Sequence, residues 1–261
     1  MKTLTAVLES TVTPLYESLL DDFDTIAGKA DARQQVLAFL EKYCDMSMPN
    51  IKVSTKPNKD GFYEVSSTGS VWIGGSGESL TNGLFIWTKI KNDFFCDSGM
   101  LKTLKGGPKE VGGCFICNNC KSLTSLEGAP KKCGSFACSW CPNLTSLKGA
   151  PKRVEGGFDC TQCDLKTLEG APVYVGGMFD CSHNKNLTSL KGGPKEVGKG
   201  FMCHACAKLK SLDGIPEKND GKLGALACGR EFTKDEVRKY MKHDMNPNYI
   251  NFRNSFNFDD F

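Results

Sequence analysis

The apolar positions of this chain keep a regular beat. From Phe94 to Cys228 the same landmarks recur every 21 or 22 residues: a phenylalanine, a cysteine two residues on, a leucine pair and a proline turn. The phenylalanines Phe115, Phe136, Phe158, Phe179 and Phe201 are followed by Cys117, Cys138, Cys160, Cys181 and Cys203. Pro108, Pro130, Pro151, Pro172, Pro194 and Pro216 keep the same spacing. Self-similarity at a period of about 20 residues is the mark of a solenoid. Phe-x-Cys alternates in and out as a strand does, and Leu-x-x-Leu with the Gly-Pro turn brings the chain round to begin again. A single unit buries about four apolar side chains at roughly 2 kcal/mol each, against about 1 to 2 kcal/mol of backbone entropy for every residue. It therefore folds only when stacked on its copies, with the strands paired in parallel.

The flanks read differently. Residues 1–49 predict a helical hairpin. Thr13-Pro14 starts a first helix with Leu15, Leu19, Phe23 and Ile26 on one face and Glu17, Asp21, Asp22 and Asp24 on another. Asp31 caps a second helix carrying Val36, Leu37, Leu40 and Tyr43. Residues 50–93 switch to short alternating strands at Ile51 to Val53, Phe62 to Val65, Val71 to Ile73 and Phe85 to Trp87, a β-rich cap for the first coil. The repeat proper is 94–228. In 229–261, Thr233 and Glu236 form a capping box for a C-terminal helix that covers the last coil with Phe232, Val237, Tyr240 and Met241. An Asn- and Phe-rich tail with Tyr249, Phe252, Phe256, Phe258 and Phe261 follows, either folded back on the cap or offered to a partner as a linear motif.

The repeat resembles the leucine-rich repeat. Its Leu-x-Leu-x-x-Asn/Cys-x-Leu core is matched by Phe158-Asp-Cys160-Thr-Gln-Cys163-Asp-Leu165 and by Phe179-Asp-Cys181-Ser-His-Asn184-Lys-Asn-Leu187, with Cys120, Cys141, Cys163, Asn184 and Cys206 in the Asn/Cys slot. Most units carry one extra residue before the leucine, and the first has Gly99 in the slot. The Gly-Ala-Pro-Lys-x-Val-Gly-Gly linker is similar to that of repeat proteins encoded by bacteriophages, gut phages in particular. The expected fold class is thus a β-rich, leucine-rich-repeat-like solenoid of 21–22-residue coils with parallel strands, capped by an N-terminal helical hairpin plus β cap and by a C-terminal helix. Such a likeness implies architecture more than activity.

Composition narrows the setting. A net charge of +3 and 24% charged residues point neither to nucleic acid nor to a membrane. The apolar start Leu4 to Leu8 is cut by Glu9, too short for a signal core or a spanning helix. A cytoplasmic protein is expected, in which the 14 cysteines remain thiols. The Cys-x-x-Cys pairs 117/120, 138/141, 160/163 and 203/206 imitate zinc-ribbon spacing. The fifth copy works with Cys181 and Asn184, which argues for stacked small hydrophobes and against a metal or redox site. No metal and no cofactor are expected.

Two charge patterns and one surface remain. Lys105, Glu127, Lys148, Glu169, Lys191 and Asp213 alternate in sign from coil to coil and can hold register. Lys131, Lys132, Lys152 and Arg153 form a basic edge without the interleaved aromatics that nucleic acid would need. Asp159, Thr161, Asp180, Ser182, Met202 and His204 are expected to point out from the strands, with Trp140, Gln162 and His183 at the exit edge. A varied row on a repeated scaffold is how solenoids bind partners, and Trp140 suits an anchor. Only three histidines exist, and no phosphate loop or nucleophile motif appears, so catalysis is not expected; His204 beside Asp180 is the nearest thing to a pair. The sequence favours a non-enzymatic protein–protein interaction protein, phage-encoded, acting as an adapter or host-directed binder in the host cytoplasm. The alternative is a structural virion component held to a capsid or tail protein, with a zinc-binding module third.

Overall fold

A computed structural model describes residues 32–44, 50–74, 78–219, 222–224, 228 and 232. The chain is a parallel β-solenoid of about 6 turns with ~22-residue coils. One face is an eight-stranded sheet built on the Phe-x-Cys segments. In spatial order its strands are Val71–Trp72, Phe94–Phe95, Cys114–Ile116, Ser135–Ala137, Phe158–Asp159, Met178–Asp180, Gly200–Met202 and Lys222–Gly224. Phe94, Phe115, Phe136, Phe158, Phe179 and Phe201 share one register position. Their rings stack at 5.2–5.5 Å between centroids, and all six are buried.

The Lys-x-Val-Gly-Gly segments, which the sequence assigned to turns, form a second face. Arg153–Val154, Tyr174–Val175, Glu196–Val197 and Lys218–Asn219 pair in parallel as one four-stranded sheet. Ile51–Val53, Tyr63–Ser67, Phe85–Ile90 and Glu110–Val111 make another, and a parallel bridge from Glu110 to Lys132 carries the ladder towards the first. Each coil thus has a phenylalanine strand and a valine strand. Val111, Cys133, Val154, Val175 and Val197 point inward and are buried. Within residues 78–219 no helix interrupts the coils.

The corners explain the glycines and prolines. The Leu-x-x-Leu pairs are buried along the whole solenoid, and the turn after each pair needs a left-handed residue. Gly149 has φ 97, and a Cβ there would lie 2.4 Å from the backbone nitrogen of Glu127 in the coil before. No side chain fits this position, because the coils approach backbone to backbone.

Parallel pairing begins ahead of residue 94. Tyr63–Ser67 already pairs in parallel with Phe85–Ile90, and Val71–Trp72 with Phe94–Phe95, so coil geometry extends into the stretch read as a separate cap. Among the described strands only Ile51–Val53 lies antiparallel, on Tyr63–Ser67, and an isolated antiparallel bridge joins Cys44 to Ile73. The phenylalanine stack ends on edge-to-face rings, Trp87 against Phe94, Phe85 against Trp87 and Phe39 against Phe85. Phe39 comes from a helix over 32–43 that buries Val36, Phe39 and Leu40. The expected helix from Thr13, its partner cap Asp31, the capping box at Thr233 and Glu236 and the aromatic tail lie outside the described residues. Phe232 is described, and it is buried in the core.

Candidate interaction surface

The cysteines are parts of the scaffold. In the pairs 117/120 and 160/163 the two sulfurs serve opposite neighbours. Cys117 donates its S–H to the Ala137 carbonyl of the next coil at 3.4 Å, and Cys120 donates to the Cys96 carbonyl of the previous one at 3.2 Å. The slot residues repeat the second bond: Cys141 to Cys117 O, Cys163 to Cys138 O, Cys206 to Cys181 O and Cys228 to Cys203 O. Asn184 does the same work with its amide, donating to Cys160 O at 3.0 Å and Cys181 O at 2.9 Å while accepting from the Leu165 N–H. Cysteine and asparagine interchange in this slot because both donate to a buried carbonyl. Burial pushes the thiols of Cys96, Cys117, Cys160 and Cys181 up, and that of Cys206 to about 12; protonated thiols of this kind are poor nucleophiles. Among the described residues no group of three or more His, Cys, Asp or Glu side chains is gathered to hold a metal.

The surface expected to bind falls into two sets. Trp140, Gln162 and His183 occupy one equivalent corner position, together with Asn119 and Ala205. All five have positive φ, between 51 and 62, and the backbone N–H groups of Trp140, Gln162 and His183 donate to Thr161, Ser182 and His204 on the next coil. Trp140 is 54% exposed. A non-glycine residue held left-handed costs about 1–2 kcal/mol, so this row keeps side chains where glycine would be easier. Sequence reasoning placed three of these residues at the rim but missed the backbone state. The signal was Asn119 in the clearest unit, since asparagine tolerates that conformation well.

Asp159, Thr161 and His204 are half-buried on the sheet's outer side. Asp180, Ser182 and Met202, expected to face water with them, are instead buried, Asp180 at 2% exposure. Alternation sets which way a side chain points but not how deep its neighbours leave it. Asp180 stands in register between Asp159 and Met202; its Oδ1 accepts from the Ser182 N–H at 2.8 Å, and the Ser182 hydroxyl accepts from the His204 N–H at 3.0 Å. Burial pushes the Asp180 carboxyl up to about 6 and, with His183 adding, lowers His204. Beside Trp140, the Ser139 hydroxyl is buried without a hydrogen-bond partner, alone in this among the described residues.

The charge patterns resolve as well. Lys148 and Glu127 close one rung of the alternating ladder at 3.6 Å. Arg153, from the basic edge, is clamped to both oxygens of Glu155 at 2.6 and 3.1 Å and lies 3.7 Å over the Tyr174 ring.

Sequence reasoning missed a notch of about 400 Å³ across the phenylalanine sheet. Its ends are Ile116 and Met178, and its floor is Ser135, Ala137 and Gly157. It exists because the outward side chains shrink to Ser, Ala and Gly over two successive coils.

No family model, curated protein or solved structure matches the chain. The surface offers an exposed indole, a half-buried acid and an apolar notch.

Proposed function

We propose that this chain is a non-enzymatic binding protein that holds a protein partner on the outer side of its phenylalanine sheet, with Trp140 as anchor. The observation that carries this reading is Trp140 itself, a large indole more than half exposed at a corner position where glycine would sit without strain. Tryptophan is among the residues most enriched at binding hot spots. Asp159, Thr161, Gln162, His183 and His204 follow it on the next three coils as accessible or half-buried side chains, with Asp180, Ser182 and Met202 buried among them. Buried, protonated thiols suit a reducing cytoplasm as the place of work.

Kinship with leucine-rich repeats belongs to the same proposal. It is supported by the Phe-x-Cys strand and by the Cys/Asn slot with its side-chain-to-carbonyl bonds; the valine strand is where the coil departs. A phage origin rests on the likeness of the Gly-Ala-Pro linkers. The test is affinity capture from lysate of infected cells, with the intact chain and with Trp140→Ala. A partner captured by the first and lost by the second is the expected result. Equal capture by both overturns the role of Trp140, and recovery of particle proteins that depends only on residues 246–261 would make the chain a virion part.

A further inference from the structure

Charge on this solenoid is sorted by sheet. Along the seven phenylalanine strands from Val71–Trp72 to Gly200–Met202, the outward positions hold Asp93, Asp97, Asp159 and Asp180 and no lysine or arginine. The valine strands are richer in cations, with Lys109, Lys131, Lys132, Lys152, Arg153, Lys195 and Lys218 on or beside them against Glu110, Glu155, Glu196 and Glu217. The acidic sheet also carries an apolar row. Trp72, Phe95, Ile116 and Ala137 follow one another in register, and Trp72, 47% exposed, stacks on Phe95 at 4.8 Å. Strands about 4.8 Å apart make this row about 14 Å long. It runs into the notch between Ile116 and Met178, and the next residue in register after Ala137 is Asp159.

The charges facing the notch differ in what they already hold. Glu155 is taken by Arg153. Asp159 spends one oxygen on the Thr161 N–H, and the other is open to a cation. Lys199 stands beyond Met178 at the far corner. An apolar strip that ends on a carboxylate, on a stretch of sheet whose outward strand positions from Trp72 to Met202 carry no lysine or arginine, is complementary to an apolar segment followed by a positive charge.

We propose that this face docks a protein segment of apolar side chains followed by lysine or arginine. The apolar side chains lie along Trp72, Phe95 and Ile116, one fills the notch over Ala137, and the cation meets Asp159. The proposal rests on the reading of the chain as a binding protein and names the chemistry of its partner.

The probe is a random 12-residue peptide library displayed on beads and selected on the full chain, with selected peptides titrated by fluorescence anisotropy. Ala137→Gln fills the notch without charge, and Asp159→Asn removes the charge while keeping the oxygen that Thr161 uses. Melting temperatures check that both variants stay folded. Selected peptides should be rich in lysine and arginine beside apolar residues, and each substitution should weaken them by about tenfold or more. A pool with no basic excess, no selected peptides, or binding indifferent to both substitutions overturns the proposal. So does a homodimer that Ala137→Gln dissociates, or peptide binding seen only after removal of residues 246–261, which assign the strip to a second copy or to the chain's own tail. Trp140→Ala is titrated alongside. Peptides lost with Trp140 but indifferent to the notch would uphold the binding reading and sink this one.

Discussion

The two faces of each coil use the same backbone pairing for different ends. The phenylalanine strand sends two side chains inward, a ring and a thiol, and these make a continuous stack with a ladder of S–H bonds. The valine strand sends one, and it is smaller. Outside, the order reverses. The valine face carries long charged side chains that satisfy one another, as in Lys89–Glu110 at 3.8 Å and Arg153 with Glu155 and Tyr174. The phenylalanine face carries short or apolar side chains, an exposed indole and, from Trp72 to Met202, carboxylates with no lysine or arginine at the outward strand positions. The sheet that supplies most of the core is therefore also the one whose outer surface is left incomplete, and recognition is expected there.

The first way to break this comparison is to cut into each stack. Phe158 is buried between Phe136 and Phe179, at 5.2 and 5.3 Å, so Phe158→Ala should cost about 3–5 kcal/mol in urea unfolding. Val175→Ala removes two methyl groups from the thinner side and should cost about 2 kcal/mol. Equal losses would mean that the two sheets share the core evenly.

The second test concerns the buried acid. Burial, with Asp159 adding, holds the Asp180 carboxyl near 6, against the two bonds from Ser182. The unfolded value is about 3.9. Between about pH 4 and 6 the folded chain therefore binds the extra proton, and stability falls as pH rises through that window. Above it the cost of the buried charge is complete. Asp180→Asn keeps an oxygen for the Ser182 N–H and should stabilise the chain at pH 7 by up to about 3 kcal/mol, while flattening the slope between pH 4 and 6. A parent whose melting temperature is level across that window would show that Asp180 is not desolvated in this way.

Much of the scaffold was legible because its columns repeat. Phe, Cys, Leu and Pro recur often enough to fix the period, the stacking and the parallel sheet. The valine strand was not legible because it is two residues long, as in Tyr174–Val175; two residues show no alternation, and its glycines and proline spoke for a turn. The candidate rim was half legible. The positions of Trp140 and Asp159 followed from the repeat, but the depth of Asp180 depends on neighbours in the next coils. The notch at Ser135, Ala137 and Gly157 is a dip in side-chain size, which appears only once the coils are set in register.

A smaller effect separates packing from hydrogen bonding in the slot. Asn184→Leu leaves the carbonyls of Cys160 and Cys181 without that donor and the Leu165 N–H without its acceptor, at about 2 kcal/mol. Asn184→Cys restores a donor of the kind Cys163 and Cys206 supply and should cost about half as much. Equal costs in thermal unfolding would show that volume, not donation, governs the slot.

The smallest change in stability carries the most for function. Trp140 holds a left-handed backbone at φ 61, and releasing that strain with glycine returns about 1–2 kcal/mol. Glycine also gives the unfolded chain more freedom, which offsets about 0.5–1 kcal/mol. Trp140→Gly should therefore leave the fold unchanged or more stable by less than about 1 kcal/mol, while Trp140→Ala keeps the strain and gains nothing. Both should lose the partner. A residue whose removal helps the fold and ends binding is held in place for recognition. If Trp140→Gly instead destabilises the chain by more than about 1 kcal/mol, the indole is a packing group, and the anchor of the phenylalanine face must be sought along Trp72 and Phe95.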